Sequence, residues 1–349
     1  MKWRHPALIC VITLVCATGL YVGGWFVFAY LLKEQLAGWS TELRSKGWAL
    51  TYNQVKIGGF PLHWQVEIDQ PKLSKRQKNF KVFWTGSNLI LDYRLWNLKK
   101  IKFYTDKTHF NSWGTSSLKK TLEMDIAEIQ GEINFSTQGD LKKLLMTTGL
   151  IEVETWPKTK FKFSNLNTII NGSQHAISNN KAHQKPFLTF QVKLSNLYLQ
   201  KTSEIKISRK FSKIFLKAMI LGKISNFFTQ KGFLEWAKGG GSIEVEQFGL
   251  GWAESRLIGS GTLALDPKFQ PIGAFTTRIT GHNSIIKKLL KQGAIRPTTA
   301  LLSQLVLNSL STKSLKNGEN ELNTPITIQG GWLYIGPLKL FRIPKIKWY

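Results

Sequence analysis

Cysteine is nearly absent: Cys10 and Cys16 are the only two among 349 residues, and both fall inside one uncharged apolar run. Everything beyond that run therefore lacks disulfide and thiol chemistry, unlike a small stapled secreted module. Neither cysteine suits lipoprotein acylation, because bulky Ile9 and Val15 precede them where a small residue is required. Histidines are few and scattered, with no HExxH spacing among His5, His63, His109, His175, His183 and His282. His175 and His183 share a polar stretch, but two histidines alone make no metal set. Acidic residues number 21 against 48 basic ones, and no carboxylate pair stands out for acid–base work. No GxSxG surrounds a serine.

Two glycine motifs fail on context. Gly259-Ser260-Gly261-Thr262-Leu263-Ala264 matches the GxGxxA dinucleotide fingerprint. That fingerprint needs a helix after the glycines to meet the pyrophosphate, and Thr262–Asp266 alternates like a strand. Gly239-Gly240-Gly241-Ser242 lacks the Gly-Lys-Ser/Thr ending of a phosphate loop and reads as a turn. These absences point to a non-enzymatic protein with no cofactor and no metal.

What is present is enough to fold. Hydrophobic residues make up 42% and aromatics 12%, while only 20% are charged, which is too apolar for a disordered chain. The formal charge of +27 would attract phospholipid headgroups, anionic glycolipid or nucleic acid. The lysines are spread along the whole chain, however, as AT-rich codon usage also produces, so charge alone identifies no partner.

From Ala7 to Leu32 no charge interrupts ALICVITLVCATGLYVGGWFVFAYLL. About 20 apolar residues span a bilayer core, so this run is long enough to cross with some tilt. Leu14 and Gly23 lie within it, with Trp25 and Tyr30 toward its end, where aromatics favour the headgroup level. A signal-peptide core is shorter, about 7–15 residues, and no small-x-small cleavage site follows. Lys2 and Arg4 precede the run; Lys33, Arg44 and Lys46 follow it, offset by Glu34 and Glu42, so local charge is nearly balanced. Moving a basic tail outward costs about 2.3 kcal/mol per charge per 100 mV, whereas a long downstream domain crosses largely regardless of charge. The expectation is a signal anchor with residues 1–6 cytoplasmic, 7–32 spanning and 33–349 outside; in a Gram-negative cell the membrane would be the inner one and the bulk periplasmic.

Beyond the anchor, Leu36, Trp39 and Leu43 continue the helical spacing until Gly47. Alternation then dominates. Trp48–Ile57 and Leu62–Ile68 read as strands joined by Gly58-Gly59-Phe60-Pro61, and short strands recur at Phe80–Trp84, Asn88–Tyr93 and Lys100–Tyr104. Leu141, Leu144 and Leu145 behind Asp140 predict a helix over Gly139–Thr148. Asn171–Lys185 reads as a polar loop, and Pro186–Gln200 alternates again. Ile205–Phe228 is ambiguous in its pattern, although Ile207, Phe211, Ile214, Phe215, Ala218 and Leu221 fit a helix. Ser242–Leu250, Ser255–Leu265 and Pro271–Gly281 are strands. Helices follow at Asn283–Gln292 and Pro297–Leu310, then a hairpin, Thr324–Gln329 with Trp332–Gly336, around Gly330-Gly331. The sum is an α+β, mostly β chain: one large curved antiparallel sheet with a few packed helices, in two halves near 48–170 and 186–349.

Two features suggest binding. Lys206, Arg209, Lys210, Lys213 and Lys217 alternate with Phe211 and Phe215; as a helix they suit contact with a membrane surface or a ligand as well as a core helix whose lysines are simply solvated. Thirteen tryptophans, among them Trp64, Trp84, Trp113, Trp252 and Trp332, suit a sheet that holds an apolar ligand as well as an ordinary core.

Several motifs carry a family likeness: the anchor, the Gly59-Phe60-Pro61 turn leading into Leu62–Pro71, and Trp236 with Gly239-Gly240. Further along come Gly261-Thr262-Leu263, Leu265-Asp266, Gln270-Pro271-Ile272-Gly273 and the closing Gly330-Gly331-Trp332-Leu333-Tyr334-Ile335-Gly336-Pro337. Together they resemble the alphaproteobacterial membrane-anchored family catalogued as domain of unknown function 2125, most clearly over 50–71 and 232–344 and weakly over about 100–230. The resemblance implies an envelope location and carries no catalytic residues. The combined expectation is lipid or glycolipid binding or support of envelope assembly, with a scaffold for another envelope protein as the alternative and no nucleic acid as partner.

Orientation is testable directly. Alkaline phosphatase fused after Ile57 should be active in a Gram-negative host; an inactive fusion would place the domain in the cytoplasm.

Overall fold

The computed structural model describes residues 4–77, 80–114, 120–155, 159–172, 185–199, 210–224, 230–252, 254–291, 293, 296–309, 311–313, 320–336 and 338–346. It contains one long apolar helix, a large antiparallel sheet system and a few short helices. By chain contacts it divides into two units, Met1–Ile133 and Asn134–Tyr349.

The first unit begins with α1 (Arg4–Ser45), a helix of 42 residues. Pro6 falls in its first turn, where its missing N–H removes no intrahelical bond. The helix ends where Gly47 takes φ +78° and donates to the Arg44 carbonyl at 2.9 Å. Its stretch from Leu8 is long and apolar enough to cross a membrane, and only 6% of the most apolar window is buried.

Seven strands of this unit form one antiparallel array: β1 (Trp48–Thr51), β2 (Val55–Gly58), β3 (His63–Asp69), β4 (Lys72–Gln77), β5 (Phe80–Gly86), β6 (Asn88–Arg94) and β7 (Asn97–Gly114). Their order is β1-β4-β5-β7-β6-β3-β2. The register aligns Ile57, Val66, Leu91 and Phe103 across four strands, and Trp64, Tyr93 and Ile101 beside them. Trp64, Val66 and Ile68 are buried, while His63, Gln65, Glu67 and Asp69 between them are not. That alternation gives the sheet one apolar face. β8 (Lys120–Phe135) holds to β7 through Lys100–Glu132 at 2.7 Å and His109–Asp125 at 2.7 Å.

The second unit is a meander. β9 (Leu141–Thr148) and β10 (Ile151–Thr155) both pair with β11 (Thr159–Gly172). The ladder continues antiparallel through β12 (Pro186–Leu199), β13 (Lys210–Leu221), β14 (Ser242–Trp252), β15 (Ser255–Leu265) and β16 (Pro271–Thr280). β17 (Ser311–Lys313) and β16 both pair with β18 (Asn320–Gln329), which pairs in turn with β19 (Trp332–Ile335), and β19 with β20 (Leu338–Arg342). Gly330 and Gly331 both have positive φ, +59° and +76°, as a two-residue hairpin turn requires.

Short helices accompany this sheet. α2 (Gln230–Lys238) sets Phe233, Trp236 and Ala237 on Leu188, Phe190, Ile220 and Ile243. Its Trp236 indole lies against Gly241, where a Cβ would come within 2.2 Å of the ring, and donates to the Leu221 carbonyl at 2.7 Å. α3 (His282–Lys291) and α4 (Pro297–Ser309) are tied by Asn308, which meets His282 at 3.2 Å and accepts from Asn283 at 3.0 Å.

Three expectations are corrected. Gly139–Thr148 is a turn and strand β9, not a helix: Ile170 and Ile169 of β11 pair with Leu144 and Leu145, so neighbouring leucines are used on opposite faces. Lys210–Leu221 is strand β13, not helix, because β12 and β14 flank it on both sides and take its backbone hydrogen bonds. Trp48–Ile57 is not one strand: it breaks at Tyr52–Gln54, and β1 goes to β4 while β2 goes to β3. The loop expected at Asn171–Lys185 lies outside the described residues except Asn171 and Gly172, which end β11, and Lys185.

Glycines in β15 make a stringent test. A Cβ on Gly261 would sit 2.1 Å from the Ala274 carbonyl oxygen and 2.6 Å from the Phe275 Cα, both backbone. Gly261→Ala should therefore cost about 1–3 kcal/mol. Denaturant unfolding should show a lower midpoint at unchanged slope, with Ser260→Ala nearly silent as the control; equal stability would refute this packing.

Candidate apolar face and helix–hairpin junction

The side chains that sequence alternation places on one face of each strand become a single surface once register is known. One line across the second sheet joins Ile170, Phe190, Ala218, Val245, Gly261, Phe275, Ile326 and Ile335, one residue from each of eight neighbouring strands. Seven strand spacings of about 4.8 Å carry that line across about 34 Å. The next line joins Val192, Leu216, Phe248, Gly259 and Thr277. Phe248 and Phe275 meet edge to face at 5.7 Å above the bare backbone of Gly259 and Gly261. The GxGxxA match is thus a seat for aromatic rings in mid-strand.

A bulge keeps the two faces in phase. Glu246 is the extra residue of β14 against β13, so Val245 and Phe248 both stay on the apolar side. On the reverse face lie Lys193, Lys217, Ser260, Thr262, Thr276 and Arg278, all exposed. Lys217 pairs with Glu246 there, and Arg278 with Glu321 at 3.5 Å.

A sheet face covered by a second layer is buried at its inner positions. Here Phe190, Val192, Leu216, Phe248, Phe275, Ile326 and Ile335 are all only half-buried, while Ala218, Val245 and Thr277 among them are buried. The α2 helix covers one end of this face at Ile220 and Ile243. The lines through Phe190–Ile335 and Val192–Thr277 extend past it.

The residues expected to contact a ligand fare differently. Lys206 and Arg209 lie outside the described residues. Lys213, Phe215 and Lys217 occupy the polar reverse of β13, with the Phe215 ring over Gly249. Phe211 stacks on Trp252 at 6.2 Å. Lys210 is exposed. Lys213, Phe215 and Lys217 share the reverse face because they stand two residues apart along the strand, where the expected helix would have turned Phe215 to a different side from the two lysines. The apolar face itself was not read from sequence as a unit; alternation in β12, β14, β15 and β16 marked its pieces.

Among the expected spanning residues, Leu14 is exposed on α1, Gly23 has no atom near a would-be Cβ, and Leu32 is half-buried. Ala7 lies within α1. Trp25 is the exception, 5% exposed, because the β2–β3 tip covers it. Its indole stacks on Trp64 at 6.4 Å, and its ring meets Phe60 edge-on at 5.4 Å. Trp25 donates to the His63 carbonyl at 3.2 Å, and Trp64 donates back to the Trp25 carbonyl at 3.3 Å. Tyr21 donates to the Pro61 carbonyl, and the Phe28 ring lies 4.1 Å from that of Trp64. Tyr93, opposite Trp64 in register, has its phenol pKa pushed above the ordinary value by burial.

Chemistry-bearing clusters are sparse among the described residues. His109 is held by Asp125 at 2.7 Å on Nδ1 and by Asn111 at 2.6 Å on Nε2, so both nitrogens are engaged. Among the described residues, no group of three or more His, Cys, Asp or Glu could hold a metal ion. Tyr104 has its pKa raised chiefly by donating to Asp106.

The model of a family described as an uncharacterized protein conserved in bacteria matches residues 25–344. No curated protein and no solved structure matches the chain.

Proposed function

Since the chain belongs to domain of unknown function 2125, a family of uncharacterized bacterial proteins, we propose that it is a membrane-anchored envelope protein that holds the apolar chains of a lipid. The observation that carries this reading is the half-buried apolar surface running across eight strands of the second sheet. Water against that surface is costly at about 25 cal/mol per Å² of apolar area, and an acyl chain relieves the cost without demanding a hydrogen-bond partner. α1 supplies the anchor, in a bacterial inner membrane with the N-terminus cytoplasmic and the sheets periplasmic. The role is binding rather than catalysis, consistent with a surface built from Phe, Val, Leu, Ile and Gly.

Lipid extraction and mass spectrometry of the full chain purified in mild detergent tests this. Wild type should retain bacterial lipid in excess of detergent-exchanged anchor controls. Val192→Asp and Leu216→Asp put a carboxylate where a chain would lie, at about 2–4 kcal/mol, and should lower retained lipid tenfold or more. Thr276→Asp, on the polar reverse, should leave retention unchanged. Equal lipid in all variants, with folding verified by circular dichroism, would overturn the reading.

A further inference from the structure

The tip of the β2–β3 hairpin is bonded to a part of α1 that a membrane-spanning placement puts below the lipid surface. The apolar run Ala7–Leu32 measures about 39 Å at 1.5 Å per residue, against a hydrocarbon core of about 30 Å that takes about 20 residues. If the core begins at Ala7 it ends near Phe26; if it ends at Leu32 it begins near Thr13. Tyr21 and Trp25 lie inside the core in both limits. These are the two residues that hold the hairpin, Tyr21 through the Pro61 carbonyl and Trp25 through the His63 carbonyl.

The tip is built for that depth. Ile57-Gly58-Gly59-Phe60-Pro61-Leu62 contains no charge and no hydrogen-bonding side chain. Phe60 and Leu62 are 48% and 58% exposed. Non-helical backbone is tolerated in lipid only where its polar groups are paired. The Gly59 carbonyl accepts from the His63 N–H at 3.2 Å, and the Pro61 and His63 carbonyls accept from α1. Lys56 and Glu67, paired in register just above the tip, select the shallower limit, in which Tyr21 lies about 7 Å below the boundary.

We propose that Phe60-Pro61-Leu62 inserts into the lipid leaflet beside α1, a second membrane contact that fixes the rotation of the first sheet about its anchor. This rests on the reading of α1 as a membrane span. With Trp25 and Trp64 stacked and mutually bonded near the headgroup level, helix and hairpin enter the bilayer as one wedge.

The experiment separates the two readings. In the full chain with Cys10→Ser and Cys16→Ser, single cysteines at Leu62→Cys and at Leu14→Cys are labelled with an environment-sensitive fluorophore. The labelled proteins are reconstituted into phosphatidylcholine vesicles containing lipids spin-labelled either near the headgroup or near the chain end. Label at 14 should be quenched by the chain-end probe, and label at 62 by the headgroup-proximal probe, each several-fold more than free label. Quenching at 14 with none above free label at 62 would overturn the inserted hairpin alone. No quenching at 14 would overturn the anchor itself, and the insertion with it.

Discussion

Each strand of the second unit takes its backbone hydrogen bonds from its neighbours along the ladder, and this pairing is what the rest of the structure depends on. Because side chains alternate with period two, a paired register makes face assignment collective: once Ala218 lies opposite Val245, the positions of Gly261, Phe275 and Ile326 follow. A slip of one residue in β14 would exchange Phe248 for Gln247 and put an amide among apolar side chains, and a slip in any other strand would turn its own polar residues inward. The bulge at Glu246-Gln247 absorbs such a slip locally and leaves the two faces intact.

Glycine and aromatic residues act together in this scheme. Trp236 over Gly241, Phe248 over Gly259, Phe275 over Gly261 and Phe215 over Gly249 are one device used four times. A ring lying on bare backbone covers polar main chain and gains contact area that a side chain at the glycine would occupy. Much of the Gly-rich likeness to the family, including Trp236 and Gly261, falls at these seats or at turns. Asp266 is a turn residue of this kind, accepting from the Lys268 and Gln270 N–H groups at 2.8 Å each.

The first unit solves a different problem. A helix exposed along most of its length needs a defined relation to the sheet that follows, and one hairpin tip supplies it. Two indole N–H bonds run in opposite directions between Trp25 and the His63–Trp64 strand start, so neither element can rotate without losing one. Buried indoles need such partners, and here each finds a carbonyl of the other element.

Local chemistry alone determined a good deal: the helix continuing past the apolar run to Gly47, the β-rich class, the Gly330-Gly331 hairpin, the strand over Ser255–Leu265, and the helices beginning near Asn283 and at Pro297. Each depends on residues close in sequence, through uninterrupted apolarity, alternation, positive-φ glycines or proline in a first turn. Tertiary structure decided the rest. Leu141, Leu144 and Leu145 satisfy helical spacing, and Phe211 through Leu221 satisfy it too, yet both segments are strands because flanking strands offer their N–H and C=O groups partners. The same holds for the surface that matters most. Which half of each alternating pattern joins its neighbour's depends on register between strands far apart in the chain, and no local spacing encodes that.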